Sequence, residues 1–127
     1  MHKLLFAGLG GFIGSAARYS IGIALLRAST NMVFPLATLL VNMTGSFLIG
    51  LLVATSDVRG WLHDDLRVFL LIGVLGGFTT FSSFSVETLH LWREVSAARA
   101  LSNVAVNLVL CLSAVWLGDI IGRWVTQ

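Results

Sequence analysis

The chain has 127 residues, 57% of them hydrophobic and only 11% charged, with a formal net charge of +2. A soluble domain carries about 25% charged residues, so this composition excludes a conventional soluble fold. The few basic side chains are dispersed and form no stripe for nucleic acid. The single cysteine, Cys111, excludes an intrachain disulfide.

Charge is spaced as well as scarce. Between Leu4 and Leu26 the one charged side chain is Arg18, and between Val33 and Ser56 there is none. Between Val68 and Leu91 there is only Glu87, and between Ala100 and Gly118 none. About 20 apolar residues cross the roughly 30 Å of bilayer hydrocarbon. The chain therefore reads as an all-α membrane protein, a single domain over residues 1–127 with four transmembrane helices at about 4–26, 34–55, 66–92 and 97–121.

The first span follows Lys3 but runs past the length of a signal-peptide core and lacks a small-residue cleavage site, so it reads as a retained helix. Gly8, Gly11, Gly14 and Ala17 bare one side of it for close helix approach. Asn31 and Pro35 mark the turn into the second span, where Pro35 suits the first helical turn because its missing N–H needs no partner. Thr38, Asn42 and Gly45 or Ser46 recur there at helical spacing, so their polar groups share a face. Residues 56–65 form the polar loop, and Asp64 or Asp65 is placed to cap the next helix.

The third span carries the most informative stretch, in which Gly73, Gly76, Gly77, Thr79, Thr80, Ser82, Ser83 and Ser85 interrupt an apolar segment. Backbone that leaves the helix at membrane depth is stable only where protein or a wet cavity satisfies it. A break around residues 76–82 would free carbonyls near Gly73 to Gly76 and amides near Thr80 to Ser83. The fourth span embeds Ser102, Asn103, Asn107 and Ser113. Four spans put both termini on one side, with Lys3, Arg59, Arg67 and Arg123, against Arg27, Arg93 and Arg99 on the other. This near balance predicts insertion in both orientations and permits antiparallel pairing.

The polar residues are read two ways. Asn42, Asn103, Asn107, Thr38, Ser82 and Ser83 either join helices or offer neutral donors to an anion. Phe78, Phe81 and Phe84 repeat every three residues, as packing or as ring edges that face an anion. Arg18 snorkels or lines a wet vestibule, and Glu87 is an isolated acid. No buried set of His, Cys, Asp or Glu has metal-ligand spacing, and no nucleophile has a base beside it, so an enzyme is not expected.

The run from Gly76 to Ser85, with Glu87 after it, resembles the signature of the CrcB/Fluc family of fluoride channels. Gly10, Gly11, Gly14, Arg18 and Tyr19 resemble that family's first span, and Val41, Asn42, Gly45 and Gly50 its second. The resemblance implies an antiparallel, dual-topology homodimer in the cell inner membrane, with the third helix broken mid-membrane and two pores built from both subunits. It implies passive export of fluoride, with Phe81, Phe84, Asn42, Thr38, Ser82 and Ser83 along the path and Arg18 and Glu87 at its vestibules. Carbonyls of Gly76 and Thr79, two from each subunit, would hold a structural Na⁺. Asn103 and Asn107 stand where the family's pore hydroxyls or a tyrosine are expected. The competing reading is a proton-coupled four-helix exporter of ions or drugs that uses Glu87.

Overall fold

The computed structural model describes residues 1–28 and 34–127. The turn assigned to Asn31 lies outside the described residues. Helix α1 is His2–Ala28 and α2 is Leu36–Arg59. The third segment has two parts. Its first, α3, runs as Asp64–Arg67, a π-helical stretch Val68–Leu75 and a last turn Gly76–Phe78. Its second, α4, is Phe81–His90 followed by π-helical Leu91–Val95. Helix α5, Ala97–Thr126, completes the chain. The described residues are all-helical, with four helical segments long and apolar enough to cross a membrane.

The ends of these helices follow local chemistry, in places differently from the sequence expectation. Pro35 stands before the first turn of α2, and its carbonyl accepts from the Leu39 amide at 3.3 Å. The expected polar loop is shorter, because α2 continues through Asp57 and Arg59. Gly60 ends it with φ of 62° and donates its N–H to Ser56 O at 2.7 Å, a left-handed stop that glycine adopts without a Cβ clash. Asp64 and Asp65 are first-turn residues behind His63 and not caps. Their carboxylates instead meet α1, with Lys3 Nζ 2.9 Å from Asp64 and His2 Nε2 3.2 Å from Asp65. Arg93 and Glu94 lie in the end of α4, so Ser96 alone connects it to α5, accepting from the Arg99 amide at 3.3 Å.

Glycine decides which helices pair. A Cβ at Gly10 would overlap the Phe69 carbonyl, and one at Gly14 the Val74 carbonyl. Gly73 lies against Gly10, and Gly77 against Gly11, so α1 and α3 approach backbone to backbone. The bared face of α1 is therefore used in part within the chain, while Gly8 and Gly22 face open space. The same device joins α2 to α5, where a Cβ at Gly50 would overlap Val115 O and one at Gly118 would overlap Phe47 O. Gly118 and Gly122 form a small-xxx-small pair on the fourth span, a pattern that drives close helix contact in lipid.

The interior mixes apolar side chains with several polar ones, and the outside is apolar. Asn103 is fully buried, with Thr38, Thr80 and Asn107 nearly so, whereas Phe12, Phe81, Trp92, Trp116 and Trp124 are exposed. Gly118→Val should lower the unfolding midpoint in detergent micelles, because overpacking costs about 1–3 kcal/mol. Gly22→Ala should leave the midpoint nearly unchanged. Equal midpoints for the two variants would show that the α2/α5 contact yields without strain.

Candidate functional site

The third segment leaves the helix at two residues. Thr79 (φ −78°, ψ 156°) and Thr80 (φ −150°, ψ 115°) are extended, and helix resumes at Phe81. Asn42, from the second turn of α2, meets this point with both ends of its amide. The Thr80 N–H donates to Asn42 Oδ1 at 2.8 Å, and Asn42 Nδ2 donates to the Thr80 carbonyl at 3.1 Å. Thr80 then caps α4, its Oγ1 accepting from the Ser83 amide at 3.2 Å.

These bonds have a consequence for the carbonyls. In an uninterrupted α-helix, Gly76 O would accept from the Thr80 amide and Thr79 O from the Ser83 amide. Asn42 takes the first donor and the Thr80 hydroxyl the second. Gly76 and Thr79 thus lose the helical partners of their carbonyls, while Gly77 O receives the Ser15 hydroxyl at 3.4 Å. The Gly73 carbonyl, expected to be free, stays in the helix and accepts from the Gly76 amide.

A cavity of about 390 Å³ opens between α2, the extended pair and α5. Asn42, Gly76, Thr79, Phe81, Phe84 and Asn107 all contribute to its wall, with Ser46 and Cys111 beside them. The rings of Phe81 and Phe84 lie 5.4 Å apart at 50°, with Phe84 buried and Phe81 77% exposed. Phe81 therefore presents one side to the cavity region and the rest outward. A second cavity of about 350 Å³ is lined by Ser82, Ser83, Val86 and Glu87.

Thr38, Asn103 and Arg18 line neither cavity. The Thr38 hydroxyl donates to Glu87 Oε1 at 2.6 Å, and Glu87 Oε2 is buried without a partner. Asn103 Nδ2 donates to Thr88 Oγ1 at 2.8 Å, and Asn107 Nδ2 donates to the Asn103 carbonyl and Oδ1, each at 3.0 Å. The one donor of Thr38, both donors of Asn107 and one of the two of Asn103 are thus given to protein acceptors. One N–H of Asn42 remains after its bond to Thr80. Arg18 is half-buried on α1 and joins no ion pair among the described residues.

Thr80 and Thr88 carry more of this site than the sequence indicated. The spacing of Thr80 to Ser83 was a capping signal at the start of an apolar helix. Thr88 had no such signal, since its hydroxyl matters only because Asn103 comes to meet it. Among the described residues no three His, Cys, Asp or Glu gather into a metal cluster. The residues lining the first cavity are all uncharged, and main-chain and neutral side-chain groups suit a hard monovalent cation through their oxygens or an anion through N–H and O–H.

The chain is similar to known proteins over nearly its whole length. Residues 5–119 match the family model described as CrcB-like protein, Camphor Resistance (CrcB). A protein of Paracoccus denitrificans is 47% identical over 122 residues, covering 96% of this chain and 95% of the relative. One of Methylobacillus flagellatus is 43% identical, covering 93% and 92%. Another, of Methylocella silvestris, is 40% identical, covering 97% and 95%. All three are named fluoride-specific ion channel FluC.

Asn42→Leu should unfold well below the parent in a denaturant titration in mixed micelles. It leaves the N–H and C=O of buried Thr80 unpaired, at about 1–3 kcal/mol for each group. A variant as stable as the parent would mean that the extended pair is held by something other than Asn42.

Proposed function

Because this chain belongs to the CrcB family, we propose that it is a fluoride channel. It is a multi-pass membrane protein by its four apolar helices and its relatives, and we place it in the cell inner membrane. It carries fluoride passively down the electrochemical gradient, relieving the cytoplasm of the anion. The observation that carries this reading is the meeting of Asn42, the extended Thr79 and Thr80, and the Phe81/Phe84 pair at one cavity.

The chemistry follows from the ion. Fluoride is small and strongly hydrated, so its path must offer several weak replacements for water in sequence. The remaining N–H of Asn42 is one, and in the adjoining cavity the Ser83 hydroxyl, which accepts from Thr80 and keeps its own proton, is another, with Ser82 beside it giving its proton to Thr80. Phe81 and Phe84 offer positively polarised ring edges that favour an anion without holding it as a fixed charge would. Thr38 acts here through Glu87, and Arg18 and Glu87 stand toward the vestibules.

A path with one open side needs a second wall. Phe81 is 77% exposed and the cavity is open on one side of the chain. An antiparallel homodimer in the bilayer supplies that wall twice, giving two paths related by a two-fold axis. The near-equal charge at the two ends of the bundle supports insertion in both orientations. The carbonyls of Gly76 and Thr79, freed of helical partners, fit a structural Na⁺, with two from each subunit completing the set. The ion would tie the extended segments together at the axis. Nothing comparable supports the exporter: Glu87 is the one acid at either cavity and is bound to Thr38.

Liposomes loaded with fluoride and containing the purified protein should release it electrogenically without a proton gradient, and flux that demands such a gradient would sink the channel reading. Phe81→Ile with Phe84→Ile should abolish flux while size-exclusion behaviour stays that of the parent. Impermeant labelling of a cysteine placed at the C-terminus, in the Cys111→Ala background, should proceed from both faces of intact cells. Labelling from one face alone would reject dual insertion.

A further inference from the structure

In the proposed channel, α5 brings Asn107 to the cavity, but its amide is turned the wrong way for an anion. The direction of every bond behind it is fixed. The Phe84 main-chain carbonyl can only accept, so the Thr88 hydroxyl gives it its one proton, at 2.7 Å. Thr88 Oγ1 is then an acceptor, and Asn103 meets it with Nδ2 at 2.8 Å. That leaves Asn103 Oδ1 toward Asn107, whose Nδ2 donates to it and to the Asn103 carbonyl, both at 3.0 Å. Turning the Asn107 amide over would set oxygen against oxygen at both contacts. A carboxamide has two N–H donors and one oxygen. Both donors of Asn107 are committed, and Oδ1 is buried without a partner.

Asn103 is itself fully buried and does not line the cavity, while Asn107 does. A buried acceptor without a donor is costly, so its place on a residue of the cavity wall needs a reason. We propose that Thr88 and Asn103 are positioning residues that hold Asn107 with its carboxamide oxygen as the free end, so that this pole of the path takes a hydrogen-bond donor, water travelling with the ion, and not the bare anion. The oxygen is covered in the single chain and gains its partner when the cavity fills. A water there gives one proton to Asn107 and the other to fluoride, so the ion passes α5 still partly hydrated. Asn42 and the ring edges act on its other side.

The proposal rests on the channel reading for its transport arm, and a second arm needs no transport. Thr88→Val deletes the acceptor that orients Asn103 and lets both amides turn, whereas Thr88→Ser keeps it. Asn107→Leu deletes the free oxygen. Asn107→Ser keeps one, because a helical serine donates its proton to the carbonyl one turn back and retains a lone pair. In the liposome assay Thr88→Val and Asn107→Leu should lose about tenfold in fluoride flux, the scale of one hydrogen bond, with both serine variants within about threefold of the parent. In the parent, the Asn107 side-chain N–H signals in nitrogen-15 NMR should exchange slowly with deuterium, and in Thr88→Val quickly. Equal exchange in parent and Thr88→Val, full flux in Asn107→Leu, or an Asn107→Ser as inactive as Asn107→Leu would each overturn the proposal. A parent without fluoride flux would defeat the channel reading, and the exchange experiment would still decide how Asn107 is held.

Discussion

Asn42 and Thr80 share two hydrogen bonds, and the arrangement of the third segment depends on them. An extended residue inside an apolar bundle exposes an amide and a carbonyl that hydrocarbon cannot satisfy. The carboxamide of Asn42 has the same donor and acceptor as a peptide group, so one side chain answers both. The same contact withdraws the Thr80 amide from Gly76 and lets the Thr80 hydroxyl take the Ser83 amide from Thr79. A single asparagine therefore stabilises the interruption and exposes the two carbonyls beside it. The structural and ion-handling readings of Asn42 are compatible, since its amide has a second N–H to spare.

The rest of the bundle keeps that contact in place. Two glycine-lined pairs, α1 with α3 and α2 with α5, approach until backbone meets backbone. The third segment spans between them, with α3 on α1 and its far end on α5. Polar ties then fix α4 from two sides through adjacent residues, Glu87 to Thr38 on α2 and Thr88 to Asn103 on α5. In water such ties compete with solvent, but in a bilayer they compete only with other polar groups of the protein. This accounts for an interior whose most buried large side chain is an asparagine.

The division of labour among donors is the functional outcome of this packing. Thr38 and Asn107 spend their protons on protein acceptors and Asn103 spends one of its two, so in the proposed channel Asn42, Ser83 and the phenyl edges of Phe81 and Phe84 are left to meet an anion. A path of few, neutral and weak contacts binds an ion enough to desolvate it and not enough to trap it. In the homodimer proposed above, the exposed ring of Phe81 is part of what the second copy covers.

Much of this was legible in the chain of letters. Four charge-poor windows marked four spans because burying charge in hydrocarbon is costly. Glycines and hydroxyls in the third window marked where helix would yield, and the run from Gly76 to Ser85 pointed to the family. The extent of the interruption was not legible, and it proved to be two residues, with Gly73 still helical. Nor were the partners of Thr38, Asn103 and Asn107, since a side chain's type states what it can donate but not to whom. Gly118 and Gly122 were visible as a spacing, yet their value came from the carbonyls of α2 that lie against them. Hydrophobicity and helix-breaking chemistry are local properties and can be read along the chain. Which acceptor receives each proton depends on residues 15 to 62 positions apart meeting across helices, and only the tertiary structure decides that.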